Sequence, residues 1–245
     1  MVERYAVVSC HVERPLDDTA WERFARMQAR RPGGFRIAAL IRPPDEEAGE
    51  DAGRWLARAR EAAERGPLGH HTHWGGPSQA RPVARDPAER VRREGSWLRE
   101  AGLEPTVFCG GGWYLDEAVA GAVAALGYAD CTATAFRLRY LSESERRLEA
   151  AEPCHLELHD GRRLLELPTT HSLGMLFRAA LRPDTLREPL VHVYFHDTDL
   201  LDRRRAAALR LALALLARRR APSDLDAAIQ RARAQELPVR RAFAR

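Results

Sequence analysis

The stretch "YAVVSCHVE", residues 5–13, is short and apolar until it ends in a histidine and a glutamate. A run of that length and texture reads as a strand buried on both faces, the kind that belongs to a parallel sheet. If so, further strands should follow it with helices between them, and their polar residues should gather at the same end.

Moving outward, the alternation continues along the chain. "DDTAWERFARMQARR" is a predicted helix with Asp18 or Thr19 as its N-cap and Trp21, Phe24 and Met27 on one face. "FRIAALIRP" (35–43) is the second strand, "GEDAGRWLARAREAAERG" the second helix, and "LGHHTHW" the third strand. "DPAERVRREGSWLREAGLE" is the third helix, with proline in its first turn. "PTVFCGGGW" (105–113) is a strand and glycine turn, "DEAVAGAVAALGY" a helix and "ADCTATAF" a strand. A different texture follows: "CHLELHDGRRLLELPTT" (154–170) predicts an antiparallel hairpin insertion turning at Asp160–Gly161. "LVHVYFHDTDLLD" (190–202) returns to a buried strand. Helices then fill about 203–236, the last of them capped by Ser223. The rhythm predicts an α/β fold in one domain over 1–245: a distorted (β/α) barrel of about seven parallel strands with helices outside. No GxGxxG or P-loop follows the first strand, and the glycines of "CGGGW" are contiguous with no lysine after them, so a nucleotide-binding reading is disfavoured.

Composition narrows the function classes. All 39 basic residues are arginine, and lysine and asparagine are both absent, the signature of a GC-rich coding bias. The arginines are interleaved with 35 acids for a net charge of +4, so the arginine-rich C-terminal helices read as solvated faces and nucleic acid is not an expected partner. The most apolar run, Ala206 to Ala217, contains an arginine and is too short for a membrane span. The N-terminus lacks the basic and apolar regions of a signal peptide, and the four cysteines form no CxxC pair. The expectation is a cytoplasmic protein with reduced thiols.

In a parallel α/β barrel the reacting groups sit at the C-terminal ends of the strands. His11 and Glu13 end the first strand here, His71 and His73 the third, Cys109 and its glycines the fourth, and His196, Asp197 and Asp199 the last. Residues i and i+2 of a strand share a face, so His11 points with Glu13 and His71 with His73, while His70 points away. His192 lies two layers below His196, where a hydrogen-bonded core histidine is expected. Two imidazoles converging from one strand end suit a divalent metal, with His11 or Glu13 as third ligand. A polar pocket without metal is the competing reading.

Several of these stretches, in order, resemble the polysaccharide deacetylases, metal-dependent enzymes that remove N-acetyl groups from amino sugars. "YAVVSCHVERP" resembles their first motif, "PLGHHTHWGG" the second and "PTVFCGGGWYLDEAVAGAVAALGYADCTAT" the third; "LLELPTT" and "VHVYFHDTDLLD" are similar to the last strands. The resemblance spans most of residues 5 to 202. Departures are specific: His11 and Val12 stand at the acidic pair, Gly75 stands where a second histidine is usual, and Cys109 stands at an arginine.

The resemblance implies a divergent deacetylase-like hydrolase of C–N bonds. Its metal would be zinc, with nickel, cobalt or iron as alternatives, held by His11, His71 and His73. Glu13 would be the base, with Asp199 a lesser choice, and His196 the acid. Trp74, Cys109, Gly111, Trp113, Tyr114 and Asp199 would meet a small or lipid-linked amino-sugar substrate. The alternative is a barrel that binds a glycan or another ligand without hydrolysis.

Overall fold

A computed structural model describes residues 4–81, 86–136, 148–182, 186 and 188–243. In chain order it contains β1 (Tyr5–Val12), α1 (Asp18–Arg30), β2 (Ala38–Ile41), α2 (Ala52–Arg65), β3 (Leu68–Thr72), α3 (Pro87–Glu100), β4 (Val107–Gly110), α4 (Glu117–Ala125) and β5 (Ala129–Asp130). There follow β6 (Cys154–Glu157), β7 (Arg163–Glu166), β8 (His171–Ser172), α5 (Leu173–Leu181), β9 (Leu190–His196), α6 (Arg203–Ala217), β10 (Ala221–Pro222), α7 (Leu225–Arg233) and β11 (Val239–Arg240). The strands run in the order β11-β6-β7-β5-β4-β3-β2-β1-β9-β8, with β10 beside β1. From β7 to β8 every pairing is parallel, so the α/β expectation holds.

The sheet is not closed. β7 and β8 are successive parts of one run of chain, separated by Leu167–Thr170. Pro168, in the middle of that run, has no N–H to give to a ladder. On either side of it the backbone bonds go opposite ways: Thr169 N–H donates to Ala133 O and Thr170 N–H to His192 O. The predicted hairpin is present as β6 and β7, paired antiparallel, with Gly161 at φ 81° in its turn. Its second strand lies beside β5 and completes the parallel set, and β6, with β11 parallel to it at the edge, lies outside that set.

Alternation along the strands sorts the core into layers. Ala6, Val8, Cys10 and Val12 of β1 pack outward with α1, α2, α5 and α6. Tyr5 and Val7 point inward with Leu40, Val107, Cys109, Leu165 and Tyr194. Leu225, Ala228, Ile229 and Ala232 of α7 join this inner layer, so that helix plugs the end of the sheet opposite the polar rim. Behind β4, Phe108 packs with Val91 of α3 and Val119 of α4. Gly69 is required by this packing, because a Cβ there would stand 2.2 Å from Leu40 Cδ2 and 2.8 Å from Val107 Cγ1.

Two cap expectations shift by one residue. Asp17, not Asp18 or Thr19, caps α1 by accepting from Ala20 N–H. Asp224, not Ser223, caps α7 by accepting from Ala227 N–H, while Ser223 N–H is drawn into the bond to Ala6 O that holds β10 against β1. Among the described residues no helix is long and apolar enough to cross a membrane.

Candidate metal and catalytic site

Register brings the rim residues together. β1 lies between β2 and β9 with His11 opposite His196, and β3 lies beside β4 with His71 opposite Cys109. The result is a nest of rings: His11 is 4.7 Å from His71, 5.3 Å from His196, 5.2 Å from Tyr194 and 5.4 Å from Trp113, centroid to centroid. His71 and His73 are 5.0 Å apart.

The tautomers of the β3 pair are settled by their partners. A carbonyl oxygen can only accept, so His71 donates Nδ1–H to Cys109 O at 2.9 Å and His73 donates Nδ1–H to Pro77 O at 2.9 Å. Each ring is thereby left with its Nε2 lone pair free, the arrangement that orients a metal-binding imidazole. His73 Nε2 is buried with no hydrogen-bond partner. Burial, with the neighbouring His73, lowers His71 well below the usual histidine value; burial also lowers His73, though Glu13 opposes it. Burial and the surrounding imidazoles push His11 well down too. All three rings are therefore neutral near pH 7 and able to donate a lone pair.

The donor atoms form two overlapping sets, each within 4.8 Å of one another: Glu13 with His71 and His73, and His11 with His71 and Cys109. The trio His11, His71 and His73 expected from the sequence is thus divided between them. Both sets consist of groups that bind divalent metals.

Glu13 stands between the metal donors and His196. One of its carboxylate oxygens lies 3.8 Å from His73 Nε2 and 3.5 Å from His196 Nε2. Burial works against a charged His196, but contacts with Asp199 and the charge of Glu13 outweigh it and raise the ring above its ordinary value. Asp199 accepts the backbone N–H of His196 at 2.9 Å and a guanidinium N–H of Arg205 at 2.7 Å, and its carboxylate lies 3.7 Å from His196 Nδ1. Burial opposes its charge, yet these bonds hold it down to about 2. Asp199 therefore positions His196 and stays ionised. Two clefts open on the site: one of about 400 Å³ past Glu13, His73 and Arg42, and one of about 360 Å³ past His196, Tyr194 and Phe177.

The expected substrate contacts fare unequally. Trp113 does face the site, in van der Waals range of His11 and Tyr194, and holds φ at 61°, a left-handed conformation that costs a non-glycine residue about 1–2 kcal/mol. Gly111 is needed where it is: a Cβ would stand 2.4 Å from Thr72 O and 2.6 Å from Ala80 O. Trp74 does not face the site. It is 1 % exposed, packs in the layer behind the sheet with Phe108, and donates Nε1–H to Gly111 O at 2.8 Å. Its position one residue after His73 puts it on the opposite face. Tyr114 also lies behind, packed on Trp74, and donates its hydroxyl to Asp116. Gly75, where a second histidine is usual, is exposed in the loop beyond β3.

His70 faces away as expected, in a paired outer network with Glu94, Thr72 and Arg90. His192 is a core residue, 2.9 Å from Ser9 Oγ through Nε2, and burial lowers it to about 4. Two further groups shape the rim. Asp197 is fully buried and accepts Arg14 N–H at 2.8 Å, pinning the end of β1 to the end of β9; burial raises it to about 6 despite that bond. Tyr194, two residues before His196 and so on its face, walls the site, a position the alternation rule does predict.

No family model and no curated protein matches the sequence. Solved structures do. The chain is similar to a GH57 branching enzyme from Thermococcus kodakaraensis at a TM-score of 0.58, with 9 % identity, covering 97 % of this chain and 72 % of that one. It is similar to the 4-alpha-glucanotransferase from Thermococcus litoralis at a TM-score of 0.54, with 13 % identity, covering 93 % of this chain but only 38 % of that one. A CE4 family pseudoenzyme from Bacillus anthracis aligns at a TM-score of 0.48, with 9 % identity, over 97 % of this chain and 63 % of that one. At these identities the first two show a shared fold.

Proposed function

We propose that the chain is a metal-dependent hydrolase that removes an N-acetyl group from an amino sugar or glycan precursor. The observation that carries the reading is the convergence of Glu13, His71 and His73 within 4.8 Å, beside a histidine ring that lies 3.5 Å from Glu13 and 3.7 Å from the Asp199 carboxylate. The order of motifs along the chain, similar to that of the polysaccharide deacetylases, supports the same class.

His71 and His73 would hold the ion through their Nε2 atoms, with Glu13 as third ligand. When bound, a divalent metal polarises the acyl carbonyl and lowers the pKa of water, which is the chemistry amide hydrolysis needs. Glu13 takes the proton that the attacking water loses. His196, protonated more readily than an ordinary histidine, gives its proton to the departing amine nitrogen as the C–N bond breaks. The products are the free amine and a carboxylate. Glu13 and His196, 3.5 Å apart, then exchange the proton and reset. Asp199 keeps the His196 ring turned toward Glu13, and Trp113 closes the inner wall.

The test is metal analysis of the purified chain and of His71→Ala/His73→Ala, followed by acetate release from acetylated amino sugars. Bound zinc, nickel, cobalt or iron in the wild type alone, with acetate released, is the expected outcome. A chain that takes up no metal on reconstitution would overturn the reading and leave a ligand-binding barrel.

A further inference from the structure

Two of the inner donors, His11 and Cys109, have no part in that reaction, and the inner set is chemically unlike the outer one. Cys109 Sγ lies 3.7 Å from His11 Nε2, and both are within 4.8 Å of the His71 donor atom. A tetrahedral ion with ordinary metal–sulfur and metal–nitrogen lengths would separate such a pair by about 3.6 Å. The other three thiols are placed differently: Cys10 packs outward against the α1 and α2 layer, Cys131 donates to Phe108 O, and Cys154 lies in the layer behind the sheet. Among the four cysteines Cys109 is the one set against imidazoles.

The hydrogen bond from His71 Nδ1–H ends on the carbonyl of Cys109 itself. The two groups are thus held in register both by the β3–β4 ladder and by this side-chain bond. Because Nδ1 is occupied, His71 has a single nitrogen to offer. One ion can use it, from the inner side or the outer side, but two ions cannot.

Resting on the metal-site reading above, we infer that His71 serves two alternative metal positions: an outer one with Glu13 and His73, and an inner one with His11 and the Cys109 thiolate that draws soft ions away from the catalytic position. Carboxylate with two imidazoles suits zinc, manganese, iron or cobalt, whereas a thiolate with two imidazoles favours softer ions such as cadmium or copper(I). Filling the inner position forms a metal–sulfur bond and releases the thiol proton to solvent. It also withdraws His71 from the outer set, so a soft metal is an inhibitor of the hydrolase.

The experiment titrates the metal-free chain with cadmium(II) and separately with manganese(II). Cadmium should produce the near-ultraviolet thiolate-to-metal charge-transfer band. In Cys109→Ser the band should vanish and cadmium affinity should fall at least about tenfold. His73→Gln should keep the cadmium band while losing manganese affinity by a similar factor. Wild-type chain that binds cadmium without a thiolate band would overturn the inner position and leave the outer site standing. A chain that binds neither metal would overturn both.

Discussion

His70 and His71 are neighbours in sequence and differ in nearly every physical respect. His70 points behind the sheet, where its Nε2 meets Glu94 at 2.9 Å, and Glu94 is held in turn by Thr72 and Arg90. His71 points into the rim, where its bond is to a neutral backbone carbonyl and its ring is surrounded by other imidazoles. A histidine paired with a carboxylate and an arginine is part of the scaffold. A histidine bonded through Nδ1 to a carbonyl keeps an unshared lone pair for a ligand. At the front His73 Nε2 is buried without a hydrogen-bond partner, whereas at the back His70 Nε2 is matched to Glu94.

The largest effect that could break this contrast lies at the front. His196→Gln is predicted to lower kcat for amide hydrolysis by about 10²- to 10⁴-fold, the usual weight of a general acid. Bound metal and thermal midpoint should hardly change, because His196 belongs to neither donor set. Metal analysis and melting on the same sample check it; loss of metal or of the fold in step with activity would make His196 structural.

Behind the sheet, Glu94→Ala should do the reverse. It leaves His70, Thr72 and Arg90 without their shared acceptor in a buried layer, at a cost of about 3 kcal/mol. Urea unfolding should show that loss, and metal content per folded chain should stay at the wild-type value. Loss of metal with stability intact would show that the two faces are not separable.

Protons distinguish the regions too. His192, His11 and His71 are all held below their unfolded values, so the unfolded chain takes up protons first as the solution is acidified. Their stabilisation is fully present above about pH 6.5 and is lost as the pH falls. For His192, lowered to about 4, the loss is about 3 kcal/mol once that value is passed. His192→Gln should flatten the stability profile between pH 6.5 and 4 by up to about 1.4 kcal/mol per pH unit. Parallel wild-type and variant profiles would place that proton elsewhere.

How far the sequence disclosed this arrangement depends on which rule was needed. Period-two alternation separates His11, Glu13, His71 and His73 from His70, and all five fall on the faces it assigns. The same rule puts Trp74 behind the sheet, since it shares the parity of His70 and Thr72, and the structure places it there rather than toward the substrate. Tyr114 is different: Gly112 and Trp113, both at φ 61°, break the alternation before it. What no local pattern contains is register between distant strands. That His11 lies opposite His196, and His71 opposite Cys109, follows only from the assembled sheet. The second donor set was invisible for that reason, as was the partnership of His70 with Glu94 on α3.

The smallest predicted effect tests the boundary between the two faces at that tryptophan. Trp74 Nε1–H bonds to Gly111 O, and its ring stacks edge-on against Tyr114 at 5.5 Å, both in the layer behind β4. Phenylalanine keeps most of the apolar contact but removes the donor, leaving one buried carbonyl with a bond fewer. Trp74→Phe should therefore cost about 1 kcal/mol of stability and leave KM for an acetylated amino sugar unchanged. A residue that stacked on the sugar would behave in the opposite way, with KM rising severalfold and stability constant. Measuring both quantities on one variant decides between an aromatic that supports the Gly110–Gly111 turn from behind and one that reaches around it to the substrate.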